Sequence, residues 1–406
     1  MNVIFVEPSF PRNQRQFVRA LHATGNRVIG IGERPYDWFD DELKGWLAAY
    51  EQISSVTDEA ALEAAVRRAQ AREWVDRLEA TVEAHVLTAA KVREATGIPG
   101  LSARAAFLCR DKVAMKEALR QAGVPCAASA GVSSLAEARE FAEAVGFPLI
   151  VKPRSAAGAS GTYRVDTAAE LDQVLRESGV AAGESAAIEE FITGHEGFYD
   201  TLTVDGQVRH DFISHYFPNV LEAMRTRWIS PQIICTNRMD AEHYQQIYEM
   251  GRRVIEVLGI TTAPTHMEWF FGPKGLRFSE IGARPPGVGQ WDVYCYANDF
   301  DLFREWALAV THGQGEAGPS RRYACGIIAL RPDHDGQISH YDGAEEIWQR
   351  FGDNIVAQHF PEPGTPTQGV EAGYMANAWM HVRDPDYDRL CEIMNTIGET
   401  IQVRAR

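Results

Sequence analysis

The sequence predicts a chain of mixed α/β and α+β class, with a parallel α/β domain first and a larger α+β region after it. Three observations carry this. Apolar runs at 3–6 and 27–32 flank a helical stretch over 13–24 that stops at Gly25; this is βαβ grammar and calls for a parallel sheet. Asp205-Gly206 and Gly272-Pro273-Lys274-Gly275 each lie between short apolar runs, which is hairpin grammar and calls for antiparallel strands. The 406 residues leave room for two or three domains.

The N-terminal MNVIFVEPSF reads as the first strand, since it lacks the basic start and long apolar core of an export signal. The turn after it, Glu7-Pro8-Ser9-Phe10-Pro11, has no Gly-x-Gly-x-x-Gly, so a dinucleotide site is not supported. A helix follows over 60–72. The turn Gly97-Ile98-Pro99-Gly100 marks a boundary, and the first domain is expected over 1–105. Helices are expected over 110–122, ended by Gly123, and over 134–145, capped by Ser133 or Ser134 and stopped by Gly146. A buried strand at 149–151 ends in Lys152-Pro153, and a small-residue run at 155–161 leads to a returning strand at 162–165. Strands at 188–192, 201–204 and 207–208 come next, then a helix over 245–258. After Gly313 a strand at 325–330 and a helix over 344–350 suggest a further α+β unit over 313–406.

Composition narrows the partners. Hydrophobic residues are 45% and charged residues 24%, ordinary for a globular protein. The formal net charge of -16 repels nucleic acid and anionic membrane surfaces, so neither is expected as a partner. Cysteines 109, 126, 235, 295, 325 and 391 have neither metal-ligand nor redox spacing. They read as reduced core thiols of a cytoplasmic protein.

The most informative stretch is His266 to Gly289. Pairing its two strands about Lys274 sets Glu268 opposite Glu280, with both side chains on one face. Directly opposed like charges destabilise a sheet, so a divalent cation between them is expected. Glu280-x-Gly282-x-Arg284 then brings a guanidinium to the same place, and these groups together suit phosphate chemistry. The run Ser155 to Gly161 after Lys152 can close backbone N–H groups over phosphate oxygens. It is no Walker loop, because the lysine comes first and a strand follows; alone, a plain hairpin loop is the simpler reading. Ile188-Glu189-Glu190-Phe191-Ile192 can offer backbone groups to a base edge, and Glu196 a few residues later can accept from ribose hydroxyls.

The order Arg110-Asp111-Lys112, Val-Lys152-Pro with its small loop, Glu-Glu-Phe-Ile with Gly-His-Glu, and Glu268–hairpin–Glu280-x-x-x-Arg284 closely resembles the ATP-grasp superfamily of carboxylate–amine ligases. The resemblance covers residues 1–312 and is weaker beyond. It implies a pre-ATP-grasp domain over 1–105, an ATP-grasp domain of two α+β subdomains over 106–312 with a lid at about 123–193, and a C-terminal extension. By the same resemblance Lys112 and Lys152 would contact ATP phosphates. Ser155, Gly158, Ser160 and Gly161 would belong to the lid loop over them. Glu189, Glu190, Phe191 and Ile192 would meet adenine, and Glu196 would hold ribose. Glu268 and Glu280 would bind Mg²⁺ or Mn²⁺, and Arg284 with Lys152 would act on the transferred phosphoryl group. One departure is Gly282, where many members carry a metal-binding Asn; a second ion would rest on Glu280, phosphates and water.

The activity implied is ATP-dependent activation of a small carboxylate as an acyl phosphate and its coupling to an amine, such as two amino acids. The alternatives are a bicarbonate- or formate-activating enzyme of the biotin-carboxylase or purine-biosynthetic kind, and a nucleotide-binding protein without turnover. Arg225 and Arg227, in Glu222-Ala223-Met224-Arg225-Thr226-Arg227-Trp228, are candidate clamps for a substrate carboxylate, balanced against a solvated turn. His266 is a candidate for the same cavity, as are His215 and Tyr216. Ala114-Met115-Lys116 looks like a biotinylation tripeptide but sits in a helical pattern and reads as structural. A homodimer is the assembly to test.

Overall fold

The computed structural model describes residues 1–154 and 161–406. A parallel sheet opens the chain, built from β1 (Asn2–Val6), β2 (Arg27–Gly32), β3 (Leu47–Gln52) and β4 (Arg77–Glu79) in the order β3-β2-β1-β4. Val3 to Val6 are wholly buried, as a strand covered on both faces should be. The first helix, Gln14–Ala23, sends Phe17 into a nest of aromatics. Its ring lies 4.9 Å from Trp306 and 5.0 Å from Trp291, both on later helices. The N-terminal domain is therefore welded to the body of the molecule by aromatic burial rather than tethered to it.

The second sheet is small and antiparallel: β5 (Ser129–Val132), β6 (Leu149–Pro153), β7 (Tyr163–Val165) and β8 (Ala186–Glu190), ordered β5-β8-β6-β7. Helices Leu135–Val145 and Ala168–Glu177 pack on it, and Leu149, Val151, Leu171, Leu175 and Ile188 form its core. Both helices start with a capping box. Ser134 accepts the Glu137 N–H and Thr167 accepts the Glu170 N–H, while Glu137 and Glu170 reach back to the N–H groups of Ser133 and Asp166.

The large sheet has eight strands. They are β9 (His195–Val204), β10 (Gln207–Phe217), β11 (Gln232–Cys235), β12 (Ala263–Gly272), β13 (Gly275–Gly282) and β14 (Ala324–Leu330), with two more after a short strand β15 (Ile338–Asp342): β16 (Ile355–His359) and β17 (Ala378–Asp384). Their order is β13-β12-β9-β10-β11-β14-β17-β16, and β15 pairs separately with β18 (Gln402–Ala405). The strands at 325–330 and beyond, expected as a separate unit, thus extend the same sheet that carries the Glu268–Glu280 hairpin. Residues 191–192 lie outside β8, which ends at Glu190 and is nearly all buried rather than alternating.

Lys116 is 1% exposed, which removes it as a modification site. The six cysteines are free. Among the described residues no helix is long and apolar enough to cross a membrane.

Candidate active site

The hairpin of β12 and β13 is the centre of the site. Gly272 pairs with Gly275 and leaves Pro273-Lys274 as a two-residue loop. Counting back from that turn would put Glu268 opposite Ser279. The register instead slips by one between Trp269, which pairs with Phe278, and Glu268, which pairs with Glu280. A β-bulge therefore makes the two carboxylates true partners, the pairing the sequence predicts by a route the sequence does not reveal.

Each carboxylate has its own cation. Glu280 Oε2 lies 3.1 Å from Lys112 Nζ and 3.7 Å from Lys152 Nζ. Burial pushes its carboxyl up, but the two lysines outweigh that and bring it down to about 2. Glu268 Oε1 lies 3.5 Å from His266 Nε2. The other ring nitrogen of His266 is 2.7 Å from Asp200, whose second oxygen accepts from Tyr294 at 2.5 Å. Burial lowers the imidazole, yet Asp200 raises it to about 9, so His266 is a cation at neutral pH. His266, expected beside the substrate, here lines the cavity while bracing Glu268.

Lys152 also reaches Glu189 at 3.0 Å, and Lys116 reaches the same oxygen at 2.6 Å. Burial works against all three charges. The two lysines nonetheless hold the Glu189 carboxyl below its usual range, and Glu189 with Glu280 raises the Lys152 ammonium. Lys116 stays lowered by burial. The Glu189 side chain thus belongs to the lysine cluster, and it lines the cavity together with its neighbours Glu190, Phe191 and Ile192. Glu190 is pinned from the other side by Lys274 at the hairpin turn, and by the Ala128 N–H at 3.2 Å. Arg164 stacks on Phe191 with its guanidinium 4.4 Å from the ring centre.

Glu196 is buried and accepts the Val220 N–H at 2.7 Å. Burial, then the nearby Glu268, pushes its carboxyl up to about 8. Arg284 donates through Nε to Glu83 at 3.1 Å, and Arg110 reaches the other Glu83 oxygen at 3.2 Å. Glu83 comes from the N-terminal domain and was not foreseen from the sequence. Gly282 explains why it fits: a Cβ there would stand 3.0 Å from Glu83 Oε2.

The clamp of two arginines is not formed. Arg225 lines the cavity and donates to the Thr162 carbonyl at 3.0 Å. Arg227 turns away to Asp335 at 2.5 Å, and Trp228 is 88% exposed. His215 bonds His195 and Tyr244, both at 2.8 Å, and burial lowers it to about 3; it is structural, whereas Tyr216 lines the cavity. Ser155, Gly158 and Ser160 lie outside the described residues; Gly161 is described and has φ 66°, a left-handed value that favours glycine.

All these cavity groups surround one space of about 790 Å³, floored by β9, β12 and β13 and reached by the N-terminal domain through Gln14, Thr81 and Glu83. Lys112 and Lys116 are four residues apart on one helix face, a spacing that could have revealed Lys116. Gln290 and Tyr374 gave no such signal. Among the described residues no three His, Cys, Asp or Glu side chains gather as a ready-made metal cage. Two carboxylates on one sheet face do fit Mg²⁺, which binds through one or two carboxylates and completes its shell with phosphate oxygens and water.

A lysine-rich cleft between a small antiparallel sheet and a large one, with paired glutamates and an arginine on its floor, has the chemistry of a phosphate-binding site. The ATP-grasp domain signature matches residues 117–300. The L-arginine-specific L-amino acid ligase of Bacillus subtilis is 28% identical over 291 residues, 68% of this chain and 67% of that one. The formate-dependent phosphoribosylglycinamide formyltransferase of Synechocystis is 26% identical over 362 residues, 84% of each. The crystal structure of an L-amino acid ligase from Bacillus licheniformis superposes with a TM-score of 0.78 at 18% identity, covering 100% of this chain and 98% of that one. Residues 117–300 thus match the ATP-grasp domain, and the chain is similar along most of its length to an amino acid ligase.

Proposed function

We propose that the protein joins a small-molecule carboxylate to an amine at the expense of ATP, with two amino acids as its substrates. The observation that carries this reading is the register pairing of Glu268 with Glu280 inside a cavity that also holds Lys112, Lys152 and Arg284. The amino acid ligase relatives support the substrate class.

A carboxylate does not react with an amine at neutral pH because oxide is too poor a leaving group. Transfer of the γ-phosphoryl group to the carboxylate oxygen gives an acyl phosphate and ADP. The amine nitrogen then attacks the carbonyl carbon, phosphate leaves with the bonding pair, and the nitrogen loses a proton. The protein's part is alignment and charge neutralisation. Mg²⁺ on Glu268 and Glu280 would neutralise phosphate oxygens when bound. Lys112 and Lys152 would meet the rest of the triphosphate, and Arg284 the phosphoryl group in transit. Adenine would lie along Glu190, Phe191 and Ile192, with ribose towards Glu196. Arg225 would hold the substrate carboxylate at the rim. The lid sheet would exclude water that otherwise hydrolyses the acyl phosphate.

Incubation with Mg·ATP and a matrix of amino acids tests this: ADP and phosphate should appear only when both a carboxylate and an amine partner are present. A second reading is favoured by the longer match to the formate-dependent enzyme, which spans 84% of the chain. ADP release driven by formate or bicarbonate would select it. Nucleotide binding without turnover on any pair would reject both. We propose a homodimer as the assembly, to be read by sedimentation.

A further inference from the structure

The cavity lining carries polar atoms that have no role in the ligase reading above. Gln290 is 1% exposed, lines the cavity, and has no protein partner for either Oε1 or Nε2. Tyr374 is 5% exposed, lines the same cavity, and its hydroxyl is likewise unpartnered. Buried amide and hydroxyl groups are nearly always bonded, because leaving them bare costs the whole desolvation penalty. Two such residues facing one cavity therefore point to a ligand.

Their placement is built. Val288 and Gly289 both hold left-handed φ values, 56° and 63°, immediately before Gln290 begins its helix. A β-branched residue rarely accepts that conformation, and such strain gathers where a side chain must be aimed. The backbone at Gly289 is fixed from behind: a Cβ there would touch the His381 ring and Met375 Cε, each at 3.4 Å. Met375 adjoins Tyr374, so the loop before Gln290 and the segment carrying Tyr374 come to the cavity together. The walls beside them, Phe198, Tyr216, Ile233 and Val288, are apolar or aromatic. Neither Gln290 nor Tyr374 makes an ion pair, and a primary amide both donates and accepts.

We infer that Gln290 and Tyr374 supply the substrate cavity with hydrogen-bonding groups that carry no charge themselves, selecting an amino acid whose side chain bears an amide or hydroxyl group over its apolar isostere. This deepens the ligase reading and rests on it for the word substrate, but the selection itself is a property of binding. An apolar side chain would leave three buried polar atoms bare, a large handicap for a site of this kind.

The test is calorimetric binding of L-glutamine against L-methionine and L-threonine against L-valine, with Mg²⁺ and a non-hydrolysable ATP analogue present. The wild-type protein should prefer the polar member of one pair by roughly tenfold to a hundredfold. Tyr374→Phe and Gln290→Met should each cut that ratio by about tenfold while the affinity for the nucleotide analogue holds. A merely structural role would weaken all four ligands together. Melting temperatures check the fold of each variant, and Tyr374→Phe, which removes a single oxygen, decides the matter if Gln290→Met is misfolded. No preference in the wild type, an unchanged ratio in the variants, or no binding of any of the four overturns the inference. Absence of ADP release on the amino acid matrix would defeat the ligase reading and leave a measured binding preference standing.

Discussion

Arg284 donates to Glu83 across 201 residues of chain, at 3.1 Å, and so the N-terminal domain sets the direction of a guanidinium on the floor of the large sheet. Glu83 is itself steadied by Arg110, which stands two residues before Lys112. The carboxylate thus orients the arginine and spaces it from the lysines, two functions of one side chain.

Glu83→Gln keeps the shape and removes the charge. Turnover should fall roughly tenfold to a hundredfold, the worth of a charge-assisted hydrogen bond, with the KM for ATP little changed. Steady-state kinetics of ADP release read it. A larger rise in the ATP KM than fall in kcat would assign Glu83 to nucleotide binding instead.

Gly282→Asn supplies the residue that many family members carry. Here it should lower activity rather than raise it, because the new Cβ stands 3.0 Å from Glu83 Oε2 and shifts the carboxylate that orients Arg284. Increased turnover or a tighter Mg²⁺ requirement in this variant would contradict the assignment of Glu83.

Lys152→Ala and Glu280→Ala should each abolish turnover. Lys116→Met should act differently. It removes one of the two cations that hold the fully buried Glu189, so it should destabilise the fold by about 3–5 kcal/mol. Thermal melts separate Glu280→Ala from Lys116→Met: a normal melt with no turnover for the first, a lowered melt for the second.

Arg225→Ala should raise the KM for the carboxylate with kcat nearly intact, the signature of uniform binding. Arg227→Ala, whose partner is the exposed Asp335, should leave both constants within about twofold. An equal effect of the two substitutions would restore the clamp that the structure separates.

Acid should destabilise the protein through His381, buried and lowered to about 4 by desolvation. A histidine depressed in the fold binds its proton first in the unfolded chain. Its contribution is complete above about 6.5 and is lost as pH falls towards 4, at about 1.4 kcal/mol per pH unit. Other groups titrate in the same window, so the reading is a difference: between pH 7 and 4.5 the denaturant melts of the wild type and His381→Asn should diverge by that slope. An unchanged slope in the variant would place the acid sensitivity elsewhere, with His215 next in line.

Much of this was legible from local pattern. The βαβ opening, the cap at Ser134 and the Gly272-Pro273-Lys274-Gly275 turn are short-range features, and physics acts on them at short range; the helix capped by Thr167 passed unread. The Glu268–Glu280 pair was legible in outcome, though the bulge that produces it has no sequence mark. What escaped depends on chain segments far apart in number. Glu83 and Tyr374 reach the cavity only because separate sheets and loops meet there, and the divergence of Arg225 from Arg227 is decided by Thr162 and Asp335, each more than sixty residues away. Lys116 was visible as a helical neighbour of Lys112 but lay under a tripeptide that drew attention to modification.

The strand order of the large sheet has a practical consequence for anyone cutting or splicing this protein. Because β14 hydrogen-bonds directly to β11, a truncation at residue 312 would strip a neighbour from β11 and leave an unpaired row of backbone donors and acceptors, an invitation to aggregation. The last quarter of the chain cannot be exchanged between relatives as a cassette; a viable chimaera must carry β11 to β17 as one inherited block.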